Sequence, residues 1–119
     1  MKKVSNRGKI NNQIHAEMRR IALRRHPYCV CCGKSETVLQ GGHLIPKKSS
    51  TATRYDLMNV FTQCRDCNFK HQYNQSIFTD WFIKEYGLRE YQYLVEKSRV
   101  VKPIKITELR NILEVYKEL

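Results

Sequence analysis

The chain has 119 residues, 41% of them hydrophobic and 28% charged, with five Gly and three Pro, so it reads as one folded domain and excludes a disordered or collagen-like polymer. No apolar run reaches the roughly 18 residues a membrane helix needs, and the basic start MKKVSNRGKINN lacks the apolar stretch of a secretion signal. The expected localisation is therefore cytoplasmic. Lys and Arg outnumber Asp and Glu by 22 to 11, a formal charge of +11.

That charge is unevenly placed: net +7 over residues 1–27, zero over 28–46, +3 over 47–72 and +1 over 73–119. A basic front suits a polyanion, because each phosphate neutralised by Lys or Arg releases condensed counterions. The plainer alternative is a solubilising surface.

Taken in chain order, residues 12–26 place Ile14, Met18, Ile21 and Ala22 on one helical face and Arg19, Arg20, Arg24 and Arg25 largely elsewhere, with Pro27 ending the run. His15 and His26 lie in this basic helix and read as neutral surface positions. Next come the cysteines. Cys29 with Cys32, and Cys64 with Cys67, form two Cys-x-x-Cys turns, and two such turns make a tetrahedral thiolate site for structural Zn²⁺. Iron is the weaker alternative, and an odd count of five without a secretion signal argues against disulfides. Cys31 is the spare, able in principle to replace Cys29 or Cys32, although the x-x spacing and the following Gly33 favour the latter two.

Thirty-one residues separate Cys32 from Cys64, more than the roughly 15–20 of a simple zinc ribbon. The insert offers β-prone stretches at 37–46 and 55–62 around a polar loop, Lys47 to Arg54. After Cys67, residues 68–74 lack Gly and Pro and should be helical. Ile77, Phe78, Trp81, Phe82 and Tyr86 then recur at helical spacing over 76–86, with Gly87 as a stop. A second helix carries Leu88, Tyr91, Leu94 and Val95. Pro103 breaks the chain, and Thr107 can cap a last helix with Leu109, Ile112, Leu113 and Tyr116.

The order Cys-x-x-Cys, Gly42-His43-Leu44, Thr53-Arg54-Tyr55-Asp56, Asn59-Val60, Gln63-Cys64-x-x-Cys67-Asn68 and Tyr86-Gly87-Leu88 resembles a zinc-stapled HNH (His-Me finger) nuclease, and more narrowly the phage NinG/Rap recombination proteins. Phage endonuclease VII is similar more distantly. The resemblance spans residues 28–97 and implies an α+β fold: a ββα-metal core over 28–75, a basic arm and helix over 1–27, and helices over 76–119 that pack on the core or form a dimer interface. It also implies a metal-dependent DNA endonuclease acting on branched recombination intermediates, with symmetric cutting calling for a homodimer.

Carried onto this sequence, the resemblance makes His43 the general base and Asn59 the residue that positions it. Asn68, with His71 one turn on, would hold a catalytic Mg²⁺ or Mn²⁺, and Asp56 is a further candidate ligand. Taken singly, His43 could be a surface imidazole, Asn59 a loop closer and Asn68 a helix cap. Most HNH nucleases carry a metal-binding Asp immediately before the His, where this chain has Gly42. DNA phosphate contacts are expected from the arm (Lys2, Lys3, Arg7, Lys9), the first helix (Arg19, Arg20, Arg24, Arg25) and the loop (Lys47, Lys48, Arg54). Two rivals lack the catalytic step: a zinc-stapled DNA- or RNA-binding module that has lost catalysis, and a translation-associated protein that binds structured RNA.

Overall fold

A two-stranded antiparallel sheet organises the computed structural model, which describes residues 5–119. Helix α1 (Asn6–Arg25) leads into the first cysteine turn, followed by β1 (Leu39–His43), a short α2 (Thr51–Arg54), β2 (Val60–Cys64), α3 (Arg65–Lys70), α4 (Ser76–Tyr86), α5 (Leu88–Ser98) and α6 (Ile106–Lys117). The register pairs Leu39 with Cys64 and His43 with Val60, so one hairpin end carries the cysteines and the other carries the histidine. With six helices and this hairpin, the described residues have a mixed α+β fold. No helix among them is long and apolar enough to cross a membrane.

Side chains alternate across the hairpin, and each face has its own core. Val60 packs against Ile10, Ile14, Met18 and Ala22 of α1, and Leu109 and Leu113 of α6 close the same cluster. On the opposite face Phe61 meets Val30, Leu44, Phe78 and Phe82 of α4, and Leu94 of α5. The apolar stripe of α1 and the aromatic stripe of α4 are therefore both turned inward. Gly41 lets α1 lie close to the sheet: a Cβ there would stand 3.2 Å from Val60 Cγ1 and 3.4 Å from the Arg19 Cα.

Several boundaries differ from the sequence reading, each for a local reason. The first helix begins at Asn6, where the Ser5 side chain accepts from the Gly8 N–H as an N-cap, so Arg7 and Lys9 are helical. Lys2 and Lys3 lie outside the described residues. The second strand covers 60–64 and not 55–62, because Asp56 accepts from the Met58 N–H and holds residues 57–59 in a tight 3₁₀ turn. The helix expected at 68–74 starts at Arg65, since Cys64 Sγ accepts from the Cys67 N–H and caps it; residues 71–73 continue as turns. Thr107 is inside α6, whose N-cap Lys105 makes no side-chain cap bond. Gly87 ends α4 with φ +97°, as its lack of Cβ permits.

Candidate functional site

The four Sγ atoms of Cys29, Cys32, Cys64 and Cys67 lie within 4.8 Å of one another, and Cys32 Sγ is 3.7 Å from Cys64 Sγ. Four sulfurs at about 2.3 Å from one Zn²⁺ in a tetrahedron stand about 3.8 Å apart, so the donor set fits a structural zinc. Gly33 closes the first turn with φ +81°, its N–H donating to the Cys29 carbonyl at 2.7 Å. The second turn is the junction of β2 and α3. Burial raises the Cys29 thiol, but the backbone amides of Cys64, Cys32 and Cys31 outweigh it and bring the thiol down to about 7. Cys31 stands apart: its sulfur accepts from Gln63 Nε2 at 3.3 Å, and burial pushes its thiol up to about 11.

At the other end of the hairpin, His43 is the last residue of β1 and only 8% exposed. Its Nε2 lies 2.9 Å from the Arg54 carbonyl oxygen. A carbonyl can only accept, so Nε2 carries the hydrogen and Nδ1 keeps its lone pair. Burial, reinforced by His15, Lys47 and Arg54, brings the His43 imidazole down to about 4 despite that hydrogen bond. It is thus a neutral proton acceptor at physiological pH. Two clefts meet at Gly41, His43 and Lys47: one of about 510 Å³ reaches Lys48, Asn68, His71 and Gln72, and one of about 340 Å³ reaches His15 and Arg19.

The Asn59 side chain hydrogen-bonds the loop and not His43. It is fully buried immediately before β2, where its Oδ1 accepts from the Ile45 N–H at 2.8 Å and its Nδ2 donates to the Ile45 and Thr53 carbonyls, each at 3.0 Å. The 44–54 loop is thereby tied to β2, and that loop carries the Arg54 carbonyl that orients His43. Asn59→Ala takes the partner from the half-buried Ile45 N–H and carbonyl, while the Thr53 carbonyl keeps the Asp56 N–H; each group left unpaired costs about 1–3 kcal/mol. The expected outcome is a loss of about 2 kcal/mol or more in a urea titration.

Asn68 and His71 line the larger cleft beside His43. Asn68 Nδ2 donates to Gln40 Oε1 at 2.8 Å, leaving its Oδ1 free, and His71 donates Nε2–H to the Leu44 carbonyl at 2.8 Å, leaving Nδ1 buried and unpartnered. Asp56 is not among these candidate donors: one oxygen caps Met58 and the other pairs with Lys97 at 2.7 Å. Gly42 has a physical explanation. A Cβ there would overlap the carboxamide oxygen of Gln63 and stand 2.7 Å from its Cδ, so the fully buried Gln63 fills the space of the usual Asp. Gly42→Asp is expected to cost about 1–3 kcal/mol by overpacking, read as a lowered Tm, and Gly42→Asp with Gln63→Ala should recover most of the loss.

The basic residues divide. Lys47 and Lys48 are exposed at the cleft, and Arg54, half-buried, donates Nη2 to the Lys47 carbonyl. Arg19 is exposed and hydrogen-bonds the Leu39 carbonyl through Nε. Arg20 bonds Glu17 and the Tyr116 carbonyl, and Arg24 bonds the Leu119 carbonyl. Arg25 turns inward, donating to the Leu57 and Val60 carbonyls with its guanidinium 4.9 Å over Phe61, and is not the outward-facing phosphate contact expected from the sequence.

Neither helix histidine is a plain surface group. The His15 ring stands 5.3 Å from that of His43 and 5.6 Å from that of Tyr55, and burial, with Lys47 and Arg54, lowers its imidazole to about 4. The sequence reading missed it; the available signal was its place beside Ile14 and one turn before Met18 on the buried stripe of α1. His26 packs against Trp81 and Phe61.

A family model described as Bacteriophage Lambda NinG protein matches residues 1–119 of this chain. No curated protein and no solved structure matches it.

Proposed function

The chain belongs to the Bacteriophage Lambda NinG protein family, and from that premise we propose that it is a metal-dependent DNA endonuclease in which His43 is the general base. The observation that carries this reading is the neutral His43 at the meeting of two clefts with basic walls, its Nε2 held by the Arg54 carbonyl and its Nδ1 free to take a proton. The attacking water gives that proton to Nδ1 as its oxygen adds to phosphorus and the P–O3′ bond breaks, the departing 3′-oxygen taking a proton from solvent. Asn59 maintains the loop that fixes the ring. Lys47, Lys48 and Arg19 bind flanking phosphates without reading sequence.

Asn68, through its free Oδ1, and His71 are the residues that would hold Mg²⁺ or Mn²⁺, which would supply charge stabilisation for the phosphate and the departing 3′-oxygen. Among the described residues no carboxylate lines this cleft, so the protein would offer neutral donors and the phosphate the negative charge. Neutral imidazole and amide donors favour Mn²⁺ over Mg²⁺ by ligand softness. Branched recombination intermediates are the proposed substrates, and a homodimer would bring the two sites that symmetric cutting of a junction takes.

A general base must be neutral to act, so activity is lost as pH falls through the base's own value. With His43 held near 4, cleavage is expected to stay level from pH 8 to about 5.5, without the limb near 6.5 of an ordinary imidazole. A pH–rate profile under single-turnover conditions checks this. The occupation of the Asp position by Gln63 favours a second reading, a nucleic-acid-binding module that does not cut. Cleavage of a four-way junction by wild type but not by His43→Ala separates the two.

A further inference from the structure

Helix α3 and the turn after it carry two rows of side chains. Asn68 and Gln72 line the cleft beside His43. Phe69 and Tyr73 follow them by one residue each, Phe69 about 100° further round α3 and Tyr73 in the turn that follows it. Their rings are 5.5 Å apart at 61°, and they are 58% and 78% exposed. Neither belongs to the cores on the two faces of the sheet. Lys70 lies exposed between them, and Arg65 one turn earlier.

We propose that Phe69 and Tyr73 form a stacking platform for an unpaired DNA base next to the phosphate held at His43. Exposed aromatic faces beside basic side chains are what a nucleobase and its phosphate engage together, and stacking is tolerant of base identity. In a continuous duplex both faces of each base are covered by neighbours, so the platform has nothing to receive. At a branch point, flap or displaced strand a base face is open. The platform thus favours branched over linear DNA without reading sequence. This inference rests on the DNA reading proposed above and adds the residues that would select the substrate.

The test uses the zinc-loaded full chain in Ca²⁺ and without Mg²⁺ or Mn²⁺, so that the DNA stays intact. A flap with 2-aminopurine in its unpaired arm is compared with a matched linear duplex. Wild type is expected to bind the flap about ten-fold or more tightly than the duplex and to quench the probe. Phe69→Ala with Tyr73→Ala should lose that preference and the quenching while binding the duplex within two-fold of wild type. Phe69→Trp with Tyr73→Trp should keep both, which also decides the matter if the alanine pair folds poorly.

Unchanged flap preference in the alanine pair, or an equal loss on both DNAs with the fold and zinc content intact, overturns the platform and leaves the nuclease reading standing. Loss of preference in the tryptophan pair overturns it too. Failure of wild type to bind either DNA overturns both.

Discussion

Replacing Cys64 by Ser, or stripping the metal with a strong chelator, is expected to unfold this protein at room temperature. A closed four-thiolate zinc site in small domains is associated with about 10–16 kcal/mol of metal-binding free energy near neutral pH, while a whole domain is stable by only about 5–15 kcal/mol. Here the site is placed where its loss spreads. Cys64 ends β2 and caps α3, and the turn at Cys29 leads into Val30, which hydrogen-bonds Thr62 of β2. Releasing those sulfurs frees the second core at Val30 and loosens the helix that carries Asn68 and leads into His71. Circular dichroism with metal analysis reads the result: one zinc per wild-type chain, and loss of helical signal on chelation. Cys31→Ser is the control, since Cys31 is outside the sulfur cluster and should keep one zinc per chain.

His43→Ala is expected to lower metal-dependent cleavage by about 10²–10⁴-fold, the range general-base catalysis contributes, with DNA affinity changed little. The ring presents Nδ1 and not a charge, so its removal takes away a proton acceptor and leaves Lys47, Lys48 and Arg19 in place for phosphate. The Arg54 carbonyl then faces an empty space that water can fill, which limits the cost to the fold. Single-turnover rates beside binding isotherms on the same DNA separate the two effects. Buried neutral histidines also shape stability: with His15 and His43 held near 4 against 6.5 in the unfolded chain, the unfolded state binds protons first as pH falls. Their contribution is fully present above about 6.5 and lost on the way down to 4.

Much of this was legible in the residues. The paired cysteine turns were readable from spacing because a metal requires that spacing, and α1, α4 and α5 because apolar residues recurred with helical period. The segment between the strands was not, since its shape comes from single side chains acting on distant backbone. Ser50 caps Thr53, Asp56 caps Met58 and Asn59 spans to Ile45, so residues read as a strand fold into turns. Arg25 was misplaced for a related reason. It sits three and seven residues after Ala22 and Met18, on the apolar stripe, and charge alone suggested the surface. His43 and Asn59 stand out by order along the chain, but that Asn59 bonds the loop and that Gln63 fills the place beside Gly42 follow only from packing in three dimensions.

The most direct test of the nuclease reading is incubation of wild type and His43→Ala with a labelled four-way junction and its matched duplex, in Mn²⁺, in Mg²⁺ and without divalent ions, with binding followed in parallel. Cutting by wild type is expected only with a divalent ion, and is lost in His43→Ala although the junction is still bound. Tight binding by wild type with no cutting in either metal would contradict the nuclease reading and leave a zinc-stapled DNA-binding module in its place.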